Sequence, residues 1–101
     1  MKLNINLHFH AAEDPHHSLR YSIADATAYA ARVGVHALAL TFHNSFTSAE
    51  SYQADAQSHG VTLISGIEID MKEDAASRRR NHIIVLNCNK DVENVQTFDD
   101  L

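Results

Sequence analysis

The sequence predicts an α/β domain in which strand and helix alternate as βαβαβ, followed by a hairpin-like pair of strands and a final helix. Three observations carry that expectation. Leu3-Asn4-Ile5-Asn6-Leu7 alternates apolar and polar residues with the period of a half-buried strand. Ile23, Ala26, Ala30 and Val33 recur at helical spacing between Ser22 and Gly34. His36-Ala37-Leu38-Ala39-Leu40-Thr41 is a short, nearly continuous apolar run, as expected of a parallel strand covered on both faces.

Each element has its own signals. After the first strand, residues 10–18 form a polar loop that contains Pro15. Ser22, with Asp25 three residues on, is a helix-capping pattern, and Gly34 stops that helix. Ser48 starts a second helix that ends at Ser58-His59-Gly60, and a third strand follows from Val61 to Glu68. Strands joined through helices are parallel, with right-handed crossovers. Ile67 to Met71 and His82 to Leu86 are two extended runs separated by the charged stretch Lys72 to Asn81, which suggests a hairpin. Asp91 is placed to cap a last helix, Val92 to Phe98. Three strands and a hairpin do not close a barrel, so an open sheet edge is expected.

Composition narrows the function classes. The 101 residues amount to one domain or part of one. A formal net charge of −5 argues against a dedicated nucleic-acid-binding surface, while leaving a nucleic-acid end open as a substrate. The lone Cys88 excludes an intramolecular disulfide, fits a reducing compartment and reads as a packed thiol at a strand end. Met1-Lys2 leads directly into a strand, and no apolar run is long enough to span a bilayer. The expectation is a soluble, cytoplasmic protein without a membrane partner.

The eight histidines are not scattered evenly. His8 and His10 close the first strand, and side chains two apart on a strand project to the same face. His43 follows the second strand, Glu68 ends the third, and His82 opens the run after the charged loop. His16 and His17, with Glu13 and Asp14, lie on the loop after the first strand, on the same rim. Functional groups gather at the C-terminal ends of strands in parallel α/β folds. Imidazole suits Zn, Fe, Ni and Cu, and a carboxylate in the apolar run around Glu68 is well compensated by a cation. His36 and His59 fall on the opposite rim and read as structural or surface residues. Asp70 and the run Arg78-Arg79-Arg80 read as solvated faces, with a phosphate grip as the sharper alternative for the arginines.

In order along the chain, Asn6-Leu7-His8-Phe9-His10-Ala11, Leu38-Ala39-Leu40-Thr41-Phe42-His43-Asn44, Ile64-Ser65-Gly66-Ile67-Glu68-Ile69 and Asn81-His82-Ile83-Ile84-Val85-Leu86 resemble the four early motifs of the PHP (polymerase and histidinol phosphatase) domain family. The resemblance runs from residue 3 to about residue 90. It implies a distorted seven-stranded, TIM-like β/α barrel carrying two or three divalent ions, here Zn, Mn or Fe, that hydrolyse phosphate esters. On that pattern His8 and His10 would bind one ion, Glu68 would bridge two, and His82 would join the ion bridged by Glu68. His43 would bind another with a loop ligand, for which His16 is preferred to His17 and Asp14. Neighbouring cations acidify a bound water and clamp the attacking and leaving oxygens, which makes Glu68 and His43 the catalytic candidates.

Some positions depart from the pattern. Asn6 and Phe42 stand where the family has Asp, and Ala11 where it has Thr; these positions lie behind the ligands, so their exchange should retune the site more than abolish it. No residue after His82 can supply the family's further His and closing D-x-H motif. Residues 1–101 therefore read as the N-terminal portion of a PHP-like domain, truncated. The expected function is a metal-dependent phosphoesterase acting on a small phosphate ester or nucleotide, or the ligand-bearing half of one that self-associates. The alternative is a metal-binding but catalytically inactive module acting in binding or assembly.

Overall fold

A computed structural model describes residues 2–74, 76, 78 and 80–100. Four strands, β1 (Ile5–Phe9), β2 (Ala37–Leu40), β3 (Thr62–Lys72) and β4 (Arg80–Leu86), form one sheet in that order. β1, β2 and β3 are parallel, and β4 returns antiparallel to β3. The sheet curls into a half-barrel, with helices α1 (Ile23–Val33) and α2 (Glu50–Ser58) in the two crossovers. This is a mixed α/β fold with the expected βαβαβ order up to β3.

α1 has the expected ends. Ser22 Oγ accepts from the Asp25 N–H at 3.0 Å while Asp25 Oδ2 accepts from the Ser22 N–H at 3.1 Å, a complete capping box. Gly34 closes the helix in the left-handed region at φ 84°, a conformation that glycine adopts without penalty. The buried stripe is Ile23, Thr27 and Ala30; Val33, counted as apolar face from the sequence, is exposed. Thr27 tolerates burial because its hydroxyl donates to the Ile23 carbonyl at 2.7 Å. At the start of α2, Ser48 Oγ accepts from the Glu50 N–H at 3.2 Å, as its position before Glu50 suggests.

Two apolar clusters flank the sheet. Leu38, Leu40 and Leu63 pack with Ile23, Ala30 and Ala56 of the helices, whereas Ile67, Ile69 and Met71 pack with Ile83, Val85 and Val95. The helix-covered face of β2 is therefore that of Leu38 and Leu40. β1 meets it irregularly: Asn6 pairs with Leu38 but Phe9 pairs with Leu40, so a bulge inserts one extra residue between them. Ile5 pairs with Ala37 on the opposite, open face and is 52% exposed.

β1 carries His8 and ends at Phe9, with His10 directly after it, so the pair closes the first strand as the sequence suggests. Two expectations from the sequence are corrected. The third strand does not end at Glu68: β3 runs unbroken for 11 residues, so Ile67 to Met71 is its second half and forms a hairpin with β4. A long strand is favoured because Ile67, Ile69 and Met71 share one buried face. The final helix, Val92 to Phe98, is absent. Instead a 3₁₀ turn, Lys90–Asn94, is capped by Asn89 Oδ1 accepting from the Asp91 N–H at 2.9 Å, and a second turn spans Phe98–Asp100. Val95 is extended, packs on the β3–β4 cluster, and leads to a bridge between Thr97 and Lys72. Tertiary pairing has overridden the local helical pattern.

Candidate metal centre

The backbone brings the ends of β1 and β2 beside the middle of β3. Beyond β2 the chain stays paired with β3: the Glu68 N–H donates to the Phe42 carbonyl at 3.0 Å and the Asn44 N–H to the Glu68 carbonyl at 2.8 Å. His43 is thereby fixed beside Glu68. Asn44 makes the turn in the left-handed region at φ 50°, and its Oδ1 accepts from the Asp70 N–H at 2.9 Å. Phe42, fully buried in the core, anchors this segment. Thr41, also fully buried, clamps β1: its Oγ1 accepts from the Phe9 N–H at 2.8 Å and donates to the Phe9 carbonyl at 3.1 Å. Phe9 sits between His8 and His10, so this clamp aims both imidazoles. Gly66, two residues before Glu68, is required by space: a Cβ there would lie 2.8 Å from the Val85 carbonyl oxygen and 3.3 Å from that of Leu40.

Around Glu68 the side chains converge. Its Oε1 faces His8 Nε2 at 3.1 Å and His82 Nδ1 at 3.6 Å; its Oε2 faces His10 Nε2 at 3.0 Å and His43 Nε2 at 3.3 Å. Glu68 is only 5% exposed, and Oε2, itself buried, makes no hydrogen bond. The rings of His10 and His43 stack with centroids 4.2 Å apart. On their far side both Nδ1 atoms meet Asp14 Oδ2, at 2.9 and 3.0 Å.

Asp14 fixes how these imidazoles present themselves. Burial pushes its carboxyl pKa up, but the backbone N–H groups of His43 and His16 and the rings of His10 and His43 together bring it down to about 2. The ionised carboxylate only accepts hydrogen bonds, so both Nδ1 atoms carry protons. In the neutral imidazoles each lone pair then sits on Nε2, within 3.3 Å of Glu68 Oε2 but not aligned to hydrogen-bond it. Nitrogen lone pairs gathered beside a buried carboxylate oxygen without hydrogen-bonding it are placed as ligands that share a cation. The donor set thus fits a divalent ion, with Asp14 in the orienting role that carboxylates play behind metal-bound histidines.

Two groups among the described residues could hold a metal ion: His8, His10 and Glu68; and His10, Asp14, His17 and His43. The structure therefore brings together His8, His10, His43 and Glu68 as the sequence suggests. The loop contributes Asp14 and His17 to the second group, rather than the preferred His16, which is exposed and donates its backbone N–H to Asp14 Oδ1 at 2.9 Å. His82 reaches Glu68 but belongs to neither compact group; its nearest carboxylate is Asp70 Oδ1, at 3.0 Å. Asp70, read from sequence as a solvated face, is a neighbour of the site. Its place two residues after Glu68 on one strand was the available signal. Thr41 was missed because a threonine in an apolar strand carries no mark of its task. His36 is structural, its Nδ1 accepting from the Asn4 N–H at 3.0 Å. Of the arginine run, Arg79 lies outside the described residues, and Arg80 begins β4.

Fold and site together define an α/β domain with a histidine–carboxylate cluster, able to hold metal ions, at the ends of parallel strands. The chain belongs to the PHP domain family: the family model for the PHP domain matches residues 6–97. That family is of metal-dependent phosphoesterase type. Comparison with curated proteins gave no match. No helix among the described residues is long and apolar enough to cross a membrane.

Proposed function

We propose that this chain binds divalent metal ions, Zn, Mn or Fe, and forms the ligand-bearing part of a phosphoesterase active site. One observation carries the reading: the buried Oε2 of Glu68 makes no hydrogen bond, yet has two imidazole Nε2 atoms within 3.3 Å. Ions held there supply Lewis acidity and an acidified water for attack on a phosphate ester. Glu68 offers one oxygen to each side of the cluster, the arrangement a bridging carboxylate needs. His8, His10 and His43 supply neutral nitrogen donors, Asp14 holds two of those rings in the useful tautomer, and His82 completes the Glu68 Oε1 side. The substrate is a small phosphate ester or nucleotide, and the lone Cys88 supports a reducing, cytoplasmic setting.

A second reading rests on the sharing of His10 between the two groups. A neutral imidazole has one lone pair and serves one ion, so filling one group weakens the other. With one group filled, the domain binds metal without turnover and acts in binding or assembly.

Elemental analysis after dialysis against metal-free buffer, followed by metal titration, tests the common premise. Wild type is expected to take up metal, and His8→Ala with His10→Ala to lose more of it than His36→Ala with His59→Ala. Uptake below about 0.2 equivalents refutes both readings. Phosphate release with added Mn²⁺ or Zn²⁺ separates them: in the first reading, Glu68→Gln loses at least about 10²-fold in rate.

A further inference from the structure

Beyond the metal cluster, the β3–β4 hairpin carries a second set of polar groups on the same face. In β3, Glu68, Asp70 and Lys72 alternate onto one side; in β4 their partners are Ile84, His82 and Arg80. The open face thus reads, outward from the cluster, Glu68, then Asp70 with His82, then Lys72 with Arg80. Four residues of extended chain place Lys72 about 13 Å from Glu68, Cα to Cα. A cleft of about 610 Å³ runs beside β3, lined by Asn44, Asp70, Lys72, Arg80, Glu93 and Thr97 and, from the apolar face, by Ile67, Ile69 and Val95.

The charges in this cleft are not equally free. Asp70 Oδ1 lies 3.0 Å from His82 Nδ1, and Glu93 Oε1 accepts from the Phe46 N–H at 2.9 Å. Lys72 and Arg80 have no carboxylate within ion-pair distance among the described residues. Two adjacent cations without counter-ions repel each other, and an anion between them removes that repulsion. Arg adds a planar fork matched to phosphate or carboxylate oxygens.

We infer that Lys72 and Arg80 form a subsite for a second anionic group, so that the preferred ligand is a phosphate ester bearing another phosphate or a carboxylate about 13 Å from the first. This rests on the metal-site reading for the first phosphate, but the subsite itself needs no metal. Two arms of one experiment keep them apart. In the metal-free chain, inorganic phosphate is titrated while the Lys72 amide and the Arg80 Nε–H are followed by NMR. Both are expected to shift saturably at concentrations of about 10 mM or below, and the Arg80→Ala variant to lose the shift at Lys72. In the Mn²⁺-loaded chain, calorimetry compares octyl phosphate, octane-1,8-diyl bisphosphate and 8-phosphonooxyoctanoate. One of the two ligands with an anionic group at each end is expected to bind about 10-fold more tightly than octyl phosphate, and Lys72→Ala with Arg80→Ala to erase that gain alone. The ligand that wins identifies the second group.

Absence of any phosphate-induced shift at residues 72 and 80, or equal affinity of all three ligands for the Mn²⁺-loaded wild type, overturns the subsite. Absence of metal uptake with the phosphate shifts intact refutes the metal centre and leaves the basic subsite standing.

Discussion

Replacing Thr41 by Val tests whether the metal cluster is built by the strand that precedes His43 or only by the histidines themselves. Valine matches threonine in shape but lacks the hydroxyl. The Phe9 carbonyl keeps a partner, because the Thr41 backbone N–H also donates to it at 3.1 Å. The Phe9 N–H does not, since its partner is the lost Oγ1 at 2.8 Å. Phe9 is half-buried, so the orphaned donor regains water only in part, and the cost is about 1–2 kcal/mol. For a chain of this length that lowers Tm by roughly 5–10 °C. Because the freed donor lies between His8 and His10, the two imidazoles lose their common aim. Metal affinity is expected to fall about 10- to 100-fold, as for loss of groups that orient metal ligands.

Thermal unfolding of the metal-free chain measures the first effect and competitive chelator titration the second. Thr41→Ser keeps the hydroxyl and is expected to restore most of the affinity while remaining slightly less stable. If Thr41→Val loses stability but binds metal as tightly as wild type, the clamp serves folding alone and the argument that it aims the histidines is wrong.

Further perturbations follow from the same geometry. Gly66→Ala forces a methyl to 2.8 Å from the Val85 carbonyl oxygen, and is expected to cost about 1–3 kcal/mol in urea unfolding; a neutral result would mean that β4 moves aside freely. In the metal-free chain, Asp14 with a folded pKa of about 2 against 3.8 contributes about 2 kcal/mol above pH 4, which is lost as pH falls toward 2. Asp14→Asn should therefore be less stable at neutral pH and show a flatter acid limb in pH-dependent unfolding; an unchanged limb refutes that role. Ile5 and Leu7 are about half exposed on edge strand β1, so light scattering should show concentration-dependent association that Ile5→Lys with Leu7→Lys reduces. A monomeric mass for wild type at every concentration refutes that expectation.

The ligands at strand ends were legible because strand ends are. His8, His10 and His43 each follow a run whose apolar pattern marks a strand, and parallel order carries those ends to one rim; Glu68 lies inside β3 but reaches the same level because β3 continues past the end of β2. The loop ligand was not legible in the same way. Between His10 and Ser22 there is no periodicity to say which side chain turns inward. That choice is made by long-range ties: the Ala12 N–H donates to the Tyr21 carbonyl at 2.7 Å, and the Glu13 carboxylate accepts from the Ile23 N–H at 2.9 and 3.1 Å. With Glu13 holding the start of α1, its neighbour Asp14 is turned toward His10 and His43. The last helix failed for a related reason, since Val95 gains more from the β3–β4 cluster than from a helix that buries little.

The H-x-H pair shows how a correct inference can rest on an incomplete account. Side chains two apart share a face, so His8 and His10 were placed together from spacing alone, and together with Asn4 and Asn6. Asn6 pairs with Leu38, however, on the face that the helices cover. Regular alternation from Asn6 would have sent both histidines toward α1, away from Glu68, because a one-residue slip moves a whole set of side chains across the sheet. The bulge between Asn6 and Phe9 supplies that slip in the useful direction: Phe9 takes the helix-facing position opposite Leu40, and the histidines turn to the open face. Asn6 Oδ1 accepts from the His8 N–H at 3.0 Å, holding the bulge at its base. A carboxylate at this position could accept the same hydrogen bond. The exchange of Asp for Asn at residue 6 therefore preserves the feature that turns His8 toward Glu68, and alters charge near the cluster rather than its geometry.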